Sequence, residues 1–288
     1  MNQTIPPSIV ILDPEMESIV DPNAEFEQIA SGMRFTEGPV WLPDRQVFVY
    51  SDIPASKMYC WTRPGGLGVF REPSNKANGN TLDNQGRQLT CEEETRRLTR
   101  TEPDGTITVL ADRYQGRKLN STNDVVVKRD NTIWFTDPTY GLRGRPSEQP
   151  GNYVYRLDPG ASEPVPVATD FAEPNGLCFS PDEQFLYIAD SHVGRHLIRR
   201  FRVTKSNGLE DDGLFAVITP HIPDGMRIDS KGRIFTTAGD GVQVFRPDGT
   251  MVGKFLTPQV AANCCFGGAD GKSLFITASS SVWRVALQ

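Results

Sequence analysis

The segment EPNGLCFSPDEQFLYIAD, residues 173–190, joins an asparagine, an apolar run, an aspartate turn and a second apolar run. Asn175 lies seven residues before Asp182, and the run that follows this aspartate is typical of a buried strand. The same interval of seven separates Glu37 from Asp44, Asn123 from Asp130, and Asn263 from Asp270. Two units with a shorter interval run from Asp224 to Asp229 and from Asn78 to Asp83. The chain is therefore built from six related units.

The spacing of the units indicates the fold. Their aspartates fall at positions 44, 83, 130, 182, 229 and 270, so successive units are 39, 47, 52, 47 and 41 residues apart. Each interval accommodates four short strands with their turns, which is the size of one propeller blade. Helical periodicity is nearly absent from the 288 residues. The sequence predicts an all-β fold, a six-bladed β-propeller.

The two ends of the chain suggest how the ring closes. After Asn263 there is room for only three strands before Gln288, whereas EFEQIA, residues 25–30, precedes the first unit without a blade of its own. We expect this N-terminal strand to complete the last blade, because closure removes unpaired sheet edges. The predicted organisation is an N-terminal arm over residues 1–24 and a single propeller domain over 25–288.

Four polar residues in equivalent units each precede an innermost strand, and these are Glu37, Asn123, Asn175 and Asp224. In a closed ring they meet at one mouth of the central channel. Two carboxylates and two amides supply hard oxygen ligands suited to Ca²⁺, Mg²⁺ or Mn²⁺, and Zn²⁺ also accepts carboxylate oxygen. The alternative is that Asn175-Gly176 and Asp224-Gly225 are only turns. That alternative does not account for Glu37, which is a poor turn residue.

Composition limits the partners and the compartment. The net charge is −6 and no basic run stands out, which argues against nucleic-acid binding. No apolar run approaches the length of a membrane span, and the N-terminus lacks the basic region of a signal peptide. The five cysteines are scattered, as expected for reduced thiols. We expect a cytoplasmic protein with a small-molecule substrate and no membrane or nucleic-acid partner.

Several motifs resemble those of one known family. They are FTEGPVW (35–41), SDIP (51–54), STNDVVV (121–127), FTDPTYG (135–141), EPNGLCFSPDEQFLYIADS (173–191), IPDGMRID (222–229) and NCCFGG (263–268). In this order and spacing, the chain resembles the senescence-marker-protein/regucalcin/gluconolactonase family of six-bladed propellers over roughly residues 25–288. The TDPTYG and NCCFGG segments resemble its bacterial gluconolactonase-like branch.

The resemblance implies a site. Glu37, Asn175 and Asp224 fall where the family binds one divalent metal, often calcium, and Asn123 falls beside it, where it contacts the metal or the substrate. We expect Ca²⁺, with Zn²⁺, Mg²⁺ or Mn²⁺ as alternatives. The animal members carry an arginine that contacts the sugar two positions before this asparagine. This chain has Ser121 there, which puts the substrate's identity in question.

The implied activity is metal-dependent hydrolysis of a sugar lactone to the aldonic acid, with catalytic roles for Asp224, as the base, and Asn123. A second candidate base is Asp124, unless strand alternation turns it away from the axis. We expect Ser121, Asn263 and Asn80 to line the substrate mouth with Asn123 and Asp124, although Asn80 and Asn78 are equally compatible with simple loops. Two other functions remain open: an organophosphate hydrolase of the fluorophosphatase type, and a non-catalytic calcium-binding propeller.

Overall fold

Six antiparallel sheets follow one another along the chain in a computed structural model that describes residues 6–288. The first three blades consist of Thr36–Leu42, Val47–Asp52, Lys57–Thr62 and Gly66–Arg71; Ala77–Leu82, Gln88–Glu92, Arg97–Thr101 and Ile107–Ala111; and Val125–Val127, Ile133–Asp137, Asn152–Leu157 and Val165–Phe171. The last three consist of Pro174–Phe179, Phe185–Asp190, Leu197–Val203 and Leu209–Val217; Met226–Ile228, Ile234–Ala238, Gly241–Phe245 and Met251–Leu256; and Ala261–Gly267, Ser273–Ala278, Ser281–Ala286 and Phe26–Ala30. The predicted six-bladed β-propeller is confirmed.

The repeated aspartates make the turn between the first and second strands of a blade. The Asp182 side chain accepts a hydrogen bond from the backbone N–H of Gln184 at 3.1 Å, and Asp130 accepts one from Thr132 at 3.0 Å. Asp83, Asp229 and Asp270 each accept the N–H two residues ahead in the same way. Such turns reverse the chain between two strands, which explains why an aspartate recurs at this point of the repeat.

The ring closes through its two ends, as predicted. Phe26–Ala30 pairs antiparallel with Ser281–Ala286 and so forms the outer strand of the sixth blade. Across the junction, the ring of Phe48 in the first blade stacks on Phe275 in the sixth, with 4.2 Å between the ring centroids. Aromatic packing of this kind adds to the burial of apolar surface between neighbouring blades.

The segment before the propeller is partly built into it. Ser8–Ile11 pairs with Met251–Leu256 and adds a fifth strand to the fifth blade. A 3-10 helix, Pro14–Ser18, then buries the Met16 side chain completely against that blade. Residues 1–5 of the predicted arm lie outside the described residues.

The remaining elements are short. Arg113–Tyr114 and Arg117–Lys118 form a small hairpin, and Pro43–Arg45 and Tyr140–Leu142 are 3-10 turns. Within residues 6–288, no helix has the length and apolar character needed to cross a membrane. All five cysteines are free thiols.

Candidate active site at the hub of the propeller

The four predicted site residues lie at or just before the start of four innermost strands, at the same end of the channel. Glu37, Asn123 and Asn175 are buried, and Asp224 is half-buried. Neighbouring innermost strands are joined here by backbone hydrogen bonds, such as that from Gly176 N–H to the Asp224 carbonyl at 3.0 Å. The predicted site residues therefore belong to one ring around the axis.

Glycine follows Asn175 and Asp224 because the innermost strands approach one another closely at these points. A Cβ atom on Gly176 would lie 2.3 Å from the Asp224 carbonyl oxygen, and one on Gly225 would lie 2.0 Å from Cγ of Asn263. Neither glycine adopts positive φ, and Asn175-Gly176 lies inside a strand. The close approach, rather than a turn, therefore accounts for these glycines.

Glu37 is the most constrained of the four. Its Oε2 accepts hydrogen bonds from Asn263 Nδ2, at 2.9 Å, and from the backbone N–H of Gly38. Burial, followed by the negative charges of Asp224 and Asp124, raises the pKa of Glu37 well above its usual range. These hydrogen bonds end on Oε2, so Oε1 remains available to a further ligand.

Asp224 also has a raised pKa, although its side chain is more exposed to solvent than that of Glu37. Burial and then the charge of Asp124 raise its pKa to about 7, while the Asn175 side chain acts in the opposite direction. Its backbone N–H donates to Thr237 Oγ1 at 3.1 Å, which holds the backbone of Asp224 against the second strand of its blade. Asp124 raises the pKa of both Glu37 and Asp224, and a site with this excess of negative charge would stabilise a cation.

The donor set matches a cation that takes amide oxygens as well as carboxylates. Among residues 6–288, no group of three or more His, Cys, Asp and Glu side chains is arranged to bind a metal. A cation at the hub would therefore also need the side-chain oxygens of Asn123 and Asn175. Asn78 adds another amide: its buried Oδ1 has no hydrogen-bond partner, and its Nδ2 donates to Glu93 Oε1 at 3.0 Å. An unpaired buried oxygen is costly unless a ligand satisfies it.

Asp124 points into the channel and lies one residue beyond the ring position Asn123, deeper in the channel. Its carboxylate lies 3.7 Å from Nη1 of Arg227, which belongs to the fifth blade, whereas Asp124 belongs to the third. Because a whole blade separates them, the two side chains meet inside the channel. Asp124 is only 1% exposed, and its Oδ1 accepts the N–H of Val125. The alternative in which it faces away from the axis is therefore wrong, but it lies in the floor of the site.

Asn263 also lies deeper in the channel, one residue beyond the ring position of its blade. The carbonyl oxygens of Asn123, Asp224 and Ala262 each accept an N–H from a glycine of the preceding blade. Ala262, and not Asn263, therefore occupies the ring position in the sixth blade. The Asn263 amide supports Glu37, while its Oδ1 accepts the N–H of Cys264 at 2.8 Å.

Two residues expected to contact the substrate have side-chain polar atoms that are already hydrogen-bonded within the protein. The Asn80 amide donates to the Gly38 carbonyl and Ser51 Oγ, and its Oδ1 accepts from Gln88 and Thr90. It is completely buried and ties the first two blades together.

Ser121 is occupied in a comparable way. Its hydroxyl donates to the Pro138 carbonyl at 2.6 Å and accepts the N–H of Gly141 at 2.9 Å. We therefore leave both Asn80 and Ser121 out of the substrate-contacting set.

Three aspartates without an assigned role in the sequence position the loops that lead into the ring. Asp52 accepts the backbone N–H groups of Arg34 and Phe35, both at 3.1 Å. Asp190 does the same for Ala172 and Glu173, both at 3.0 Å, and Asp137 for Asn120 at 2.7 Å. Each loop ends within three residues of Glu37, Asn175 or Asn123. The signal in the sequence is an aspartate that closes the second strand in SD, TD and AD, at 51–52, 136–137 and 189–190.

One surface cavity lies away from the hub. It has a volume of about 460 Å³ and is lined by Asp83, Arg100 and Asp158, at the edges of the second and third blades. Its lining includes none of the ring residues.

Comparison with known proteins gives a consistent set of relatives. The sequence profile of the SMP-30/gluconolactonase/LRE-like region matches residues 35–280. The chain is 32% identical to a gluconolactonase of Zymomonas mobilis, in an alignment that covers 99% of this chain and 87% of the relative. It is 25% identical to the pentonolactonase XacC of Haloferax volcanii, over 86% of this chain and 83% of the relative.

Solved structures agree. A gluconolactonase structure from Xanthomonas campestris superposes with a TM-score of 0.92 at 35% identity, covering 99% of this chain and 95% of the other. A calcium-binding regucalcin from Agrobacterium tumefaciens, at 19% identity, has a TM-score of 0.75 and covers 98% of this chain and 95% of the other. At that identity the second likeness concerns the fold alone.

Proposed function

Because the chain belongs to the SMP-30/gluconolactonase/LRE-like family, we propose that it hydrolyses a sugar lactone to the open-chain aldonic acid. Its relatives over nearly the whole length include a gluconolactonase and a pentonolactonase. The observation that carries the proposal is the convergence of Glu37, Asn123, Asn175 and Asp224 on one ring at the channel mouth. A fold alone would not be sufficient, since propellers host many activities.

The proposal includes one divalent cation at the hub. Glu37, Asn175 and Asp224 would hold it, with Asn123 beside it. Three observations support the fit: the free Oε1 of Glu37, the raised pKa values of both carboxylates, and the set of hard oxygen donors. Ca²⁺ suits many oxygen ligands and flexible geometry, so it is our first choice ahead of Mg²⁺, Mn²⁺ and Zn²⁺. When bound, the cation would polarise the lactone carbonyl as a Lewis acid.

A side chain of the protein would accept the proton and then return it. Asp224 is half-buried at the channel mouth, where its carboxylate would accept a proton from the attacking water. The water oxygen bonds to the carbonyl carbon, and the bond from this carbon to the ring oxygen breaks. The proton taken by Asp224 returns to the departing ring oxygen, which becomes a hydroxyl group. One water is consumed and one hydroxy acid is formed.

Asn123 and Asp124 have different parts in this scheme. Asn123 belongs to the ring, and its amide would orient the lactone. Asp124 is closed off below the ring and is paired with Arg227, so we assign the base role to Asp224 alone. The charge of Asp124 acts instead on Asp224, because it raises the pKa of that carboxyl.

A pH-indicator assay tests the proposal. Glucono-δ-lactone and a pentonolactone would be supplied to the chelator-treated protein with Ca²⁺, Mg²⁺, Mn²⁺ or Zn²⁺, with spontaneous hydrolysis subtracted. We expect cation-dependent acid release that falls at least a hundredfold in Asp224→Asn. Asp211→Asn, a change at an exposed outer-strand aspartate, is the control and should act like the wild type.

Two results would contradict the proposal. Turnover of fluorophosphate esters without turnover of any lactone would point to the organophosphate alternative. Cation-dependent melting without turnover of either substrate class would point to a binding protein.

A further inference from the structure

The longest connection at the channel mouth belongs to the third blade. Between the second and third strands of that blade, the chain runs from residue 138 to residue 151. The equivalent connections in the other blades are 53–56, 93–96, 191–196, 239–240 and 279–280. We call residues 138–145 of this connection the mouth segment. Its extra length matches the interval of 52 residues between Asp130 and Asp182, the longest between repeat aspartates.

The mouth segment is held firmly in place. Ser121 bonds to the Pro138 carbonyl and to the N–H of Gly141, as described above. The Arg145 guanidinium donates to the carbonyl oxygens of Glu93 at 3.2 Å and of Gly141 at 2.8 Å. Gly141 packs so closely on Glu93 that a Cβ atom on the glycine would lie 2.5 Å from Cβ of Glu93. The segment therefore bridges the second and third blades in a defined conformation.

One end of the mouth segment reaches the fourth blade. The Tyr140 hydroxyl donates to Glu173 Oε2 at 3.2 Å, and Glu173 lies two residues before Asn175 of the ring. Burial and then the charge of Asp224 raise the pKa of Tyr140, so the phenol is near the proposed base. Because Tyr140 is still 38% exposed, it faces the open mouth and not the core.

The other end places the guanidinium group of Arg143 on the second-blade side of the mouth. Arg143 Nη2 donates to Glu93 Oε2 at 2.9 Å, and the second oxygen of Glu93 accepts from Asn78. Glu93 is buried, whereas the Arg143 side chain is 40% exposed. A guanidinium has five N–H donors, so most of those on Arg143 remain free for a ligand in the mouth.

We propose that Tyr140 and Arg143 bind the hydroxyl groups of the lactone and so select polyhydroxylated substrates, an inference that rests on the proposed lactonase function. Tyr140 with Glu173 offers acceptors on one side of the ring, because the single phenol O–H is donated to Glu173 while the phenol oxygen and the second Glu173 oxygen can accept. Arg143 offers donors on the other side, steered by its ion pair with Glu93. A sugar lactone carries hydroxyl groups around its ring that fit such donors and acceptors. A site that pairs with these hydroxyl groups discriminates against lactones that lack them.

The test compares two lactones of equal ring size. Glucono-δ-lactone carries the hydroxyl groups, and δ-valerolactone has none. In Tyr140→Phe and Arg143→Gln we expect KM for glucono-δ-lactone to rise about tenfold, with kcat changed less than about twofold. Turnover of δ-valerolactone should change less than about twofold in kcat/KM. Arg202→Gln, which removes an exposed arginine paired with Asp212 on the fourth blade, is the matched control.

The outcomes separate the two proposals. If the wild type opens none of glucono-δ-lactone, the pentonolactone and δ-valerolactone, the proposed function fails and this inference falls with it. If it opens only the pentonolactone, the KM comparison is made with that substrate, and an unchanged KM in both variants overturns the inference alone. If the wild type opens glucono-δ-lactone and both variants keep its KM, only this inference is overturned. Equal losses on both lactones, or lower kcat at unchanged KM, would also overturn it, because the segment would then be merely structural. If the wild type does not accept δ-valerolactone, a raised KM for glucono-δ-lactone at constant kcat supports the inference.

Discussion

Replacing Asp190 by alanine should destabilise the fourth blade and displace the ring residue that follows its loop. The buried carboxylate accepts backbone N–H groups from Ala172 and Glu173, both at 3.0 Å, and pairs with Arg195 Nη1 at 2.9 Å. These two N–H groups lie two and three residues before Asn175. The hydrogen bonds therefore connect the end of one strand to the loop that delivers a proposed metal ligand.

A third backbone N–H, that of the exposed His192, also donates to Asp190 but at 3.3 Å, so the magnitude follows from the two donors of the loop. In Asp190→Ala both lose their acceptor in a partly buried loop, and each unsatisfied N–H costs about 1–3 kcal/mol. Water reaches part of this loop, so we expect a total loss of about 2–4 kcal/mol in the free energy of unfolding. Arg195 is nearly half exposed and adds little to this figure. Asp190→Asn keeps one acceptor oxygen and should lose less.

Urea unfolding followed by fluorescence would measure the loss, and lactone kcat/KM would report the displacement of Asn175. Asp248→Ala is the control, because this exposed aspartate caps a turn by accepting the N–H of Thr250 at 2.9 Å. The control should unfold close to the wild type. If Asp190→Ala unfolds at the same urea concentration as Asp248→Ala, the carboxylate does not hold the loop and our reasoning is refuted.

Three further predictions follow from burial and close contact. Burial raises the pKa of Asp137 from 3.8 to about 7, so the fold favours the neutral carboxyl, and stability should fall as pH rises from about 4 to about 7. At roughly 1.4 kcal/mol per pKa unit this amounts to about 4 kcal/mol, and urea titrations should show a shallower fall in Asp137→Asn. An equal slope in both proteins would contradict this. Gly225→Ala pushes a methyl group into Asn263 and should lower both the melting temperature and lactone kcat/KM; unchanged values of both would show that the strands can separate freely. Met16→Ala, at a fully buried side chain before the propeller, should cost about 2–5 kcal/mol in urea unfolding, while the exposed Leu12→Ala should cost almost nothing. Equal effects at the two positions would mean that this segment does not pack on the fifth blade.

The repeat was readable from the sequence because its signals are local. An aspartate that accepts the N–H two residues ahead makes a turn wherever it occurs, and Asp130 and Asp182 do so in different blades. The strand runs that follow are short and apolar, so the all-β fold needed no long-range information. Closure by Phe26–Ala30 followed from counting strands at the two ends.

The ring itself was only partly predictable. Asn263 has the same seven-residue spacing as Glu37, but the turn that follows its strand is one residue longer. In the first blade Trp41 pairs with Phe48, seven residues ahead, whereas in the sixth Phe266 pairs with Leu274, eight residues ahead. The length of this turn is set by how the two strands pair, and the interval between the asparagine and the aspartate does not reveal it. Ala262 therefore takes the ring position, and the Asn263 amide lies beneath it.

The mouth segment was not predictable for a different reason. Tyr140 and Arg143 are far in sequence from Glu173 and Glu93, and only the closed ring brings them together. The motif TDPTYG resembled the bacterial gluconolactonase-like branch of the family, but it did not indicate where the side chains of the segment point. The unusually long third interval between aspartates was the one available sign of an insertion.

Calorimetric titration of the chelator-treated protein with Ca²⁺, followed by a lactone assay on the same sample, tests the central claim most directly. The account predicts one cation per chain for the wild type, none for Glu37→Gln at the same concentrations, and turnover that returns only when the cation is added. Parallel titrations with Mg²⁺, Mn²⁺ and Zn²⁺ would identify the preferred ion. Full lactone turnover by the chelated wild type, or undiminished cation binding by Glu37→Gln, would contradict the account.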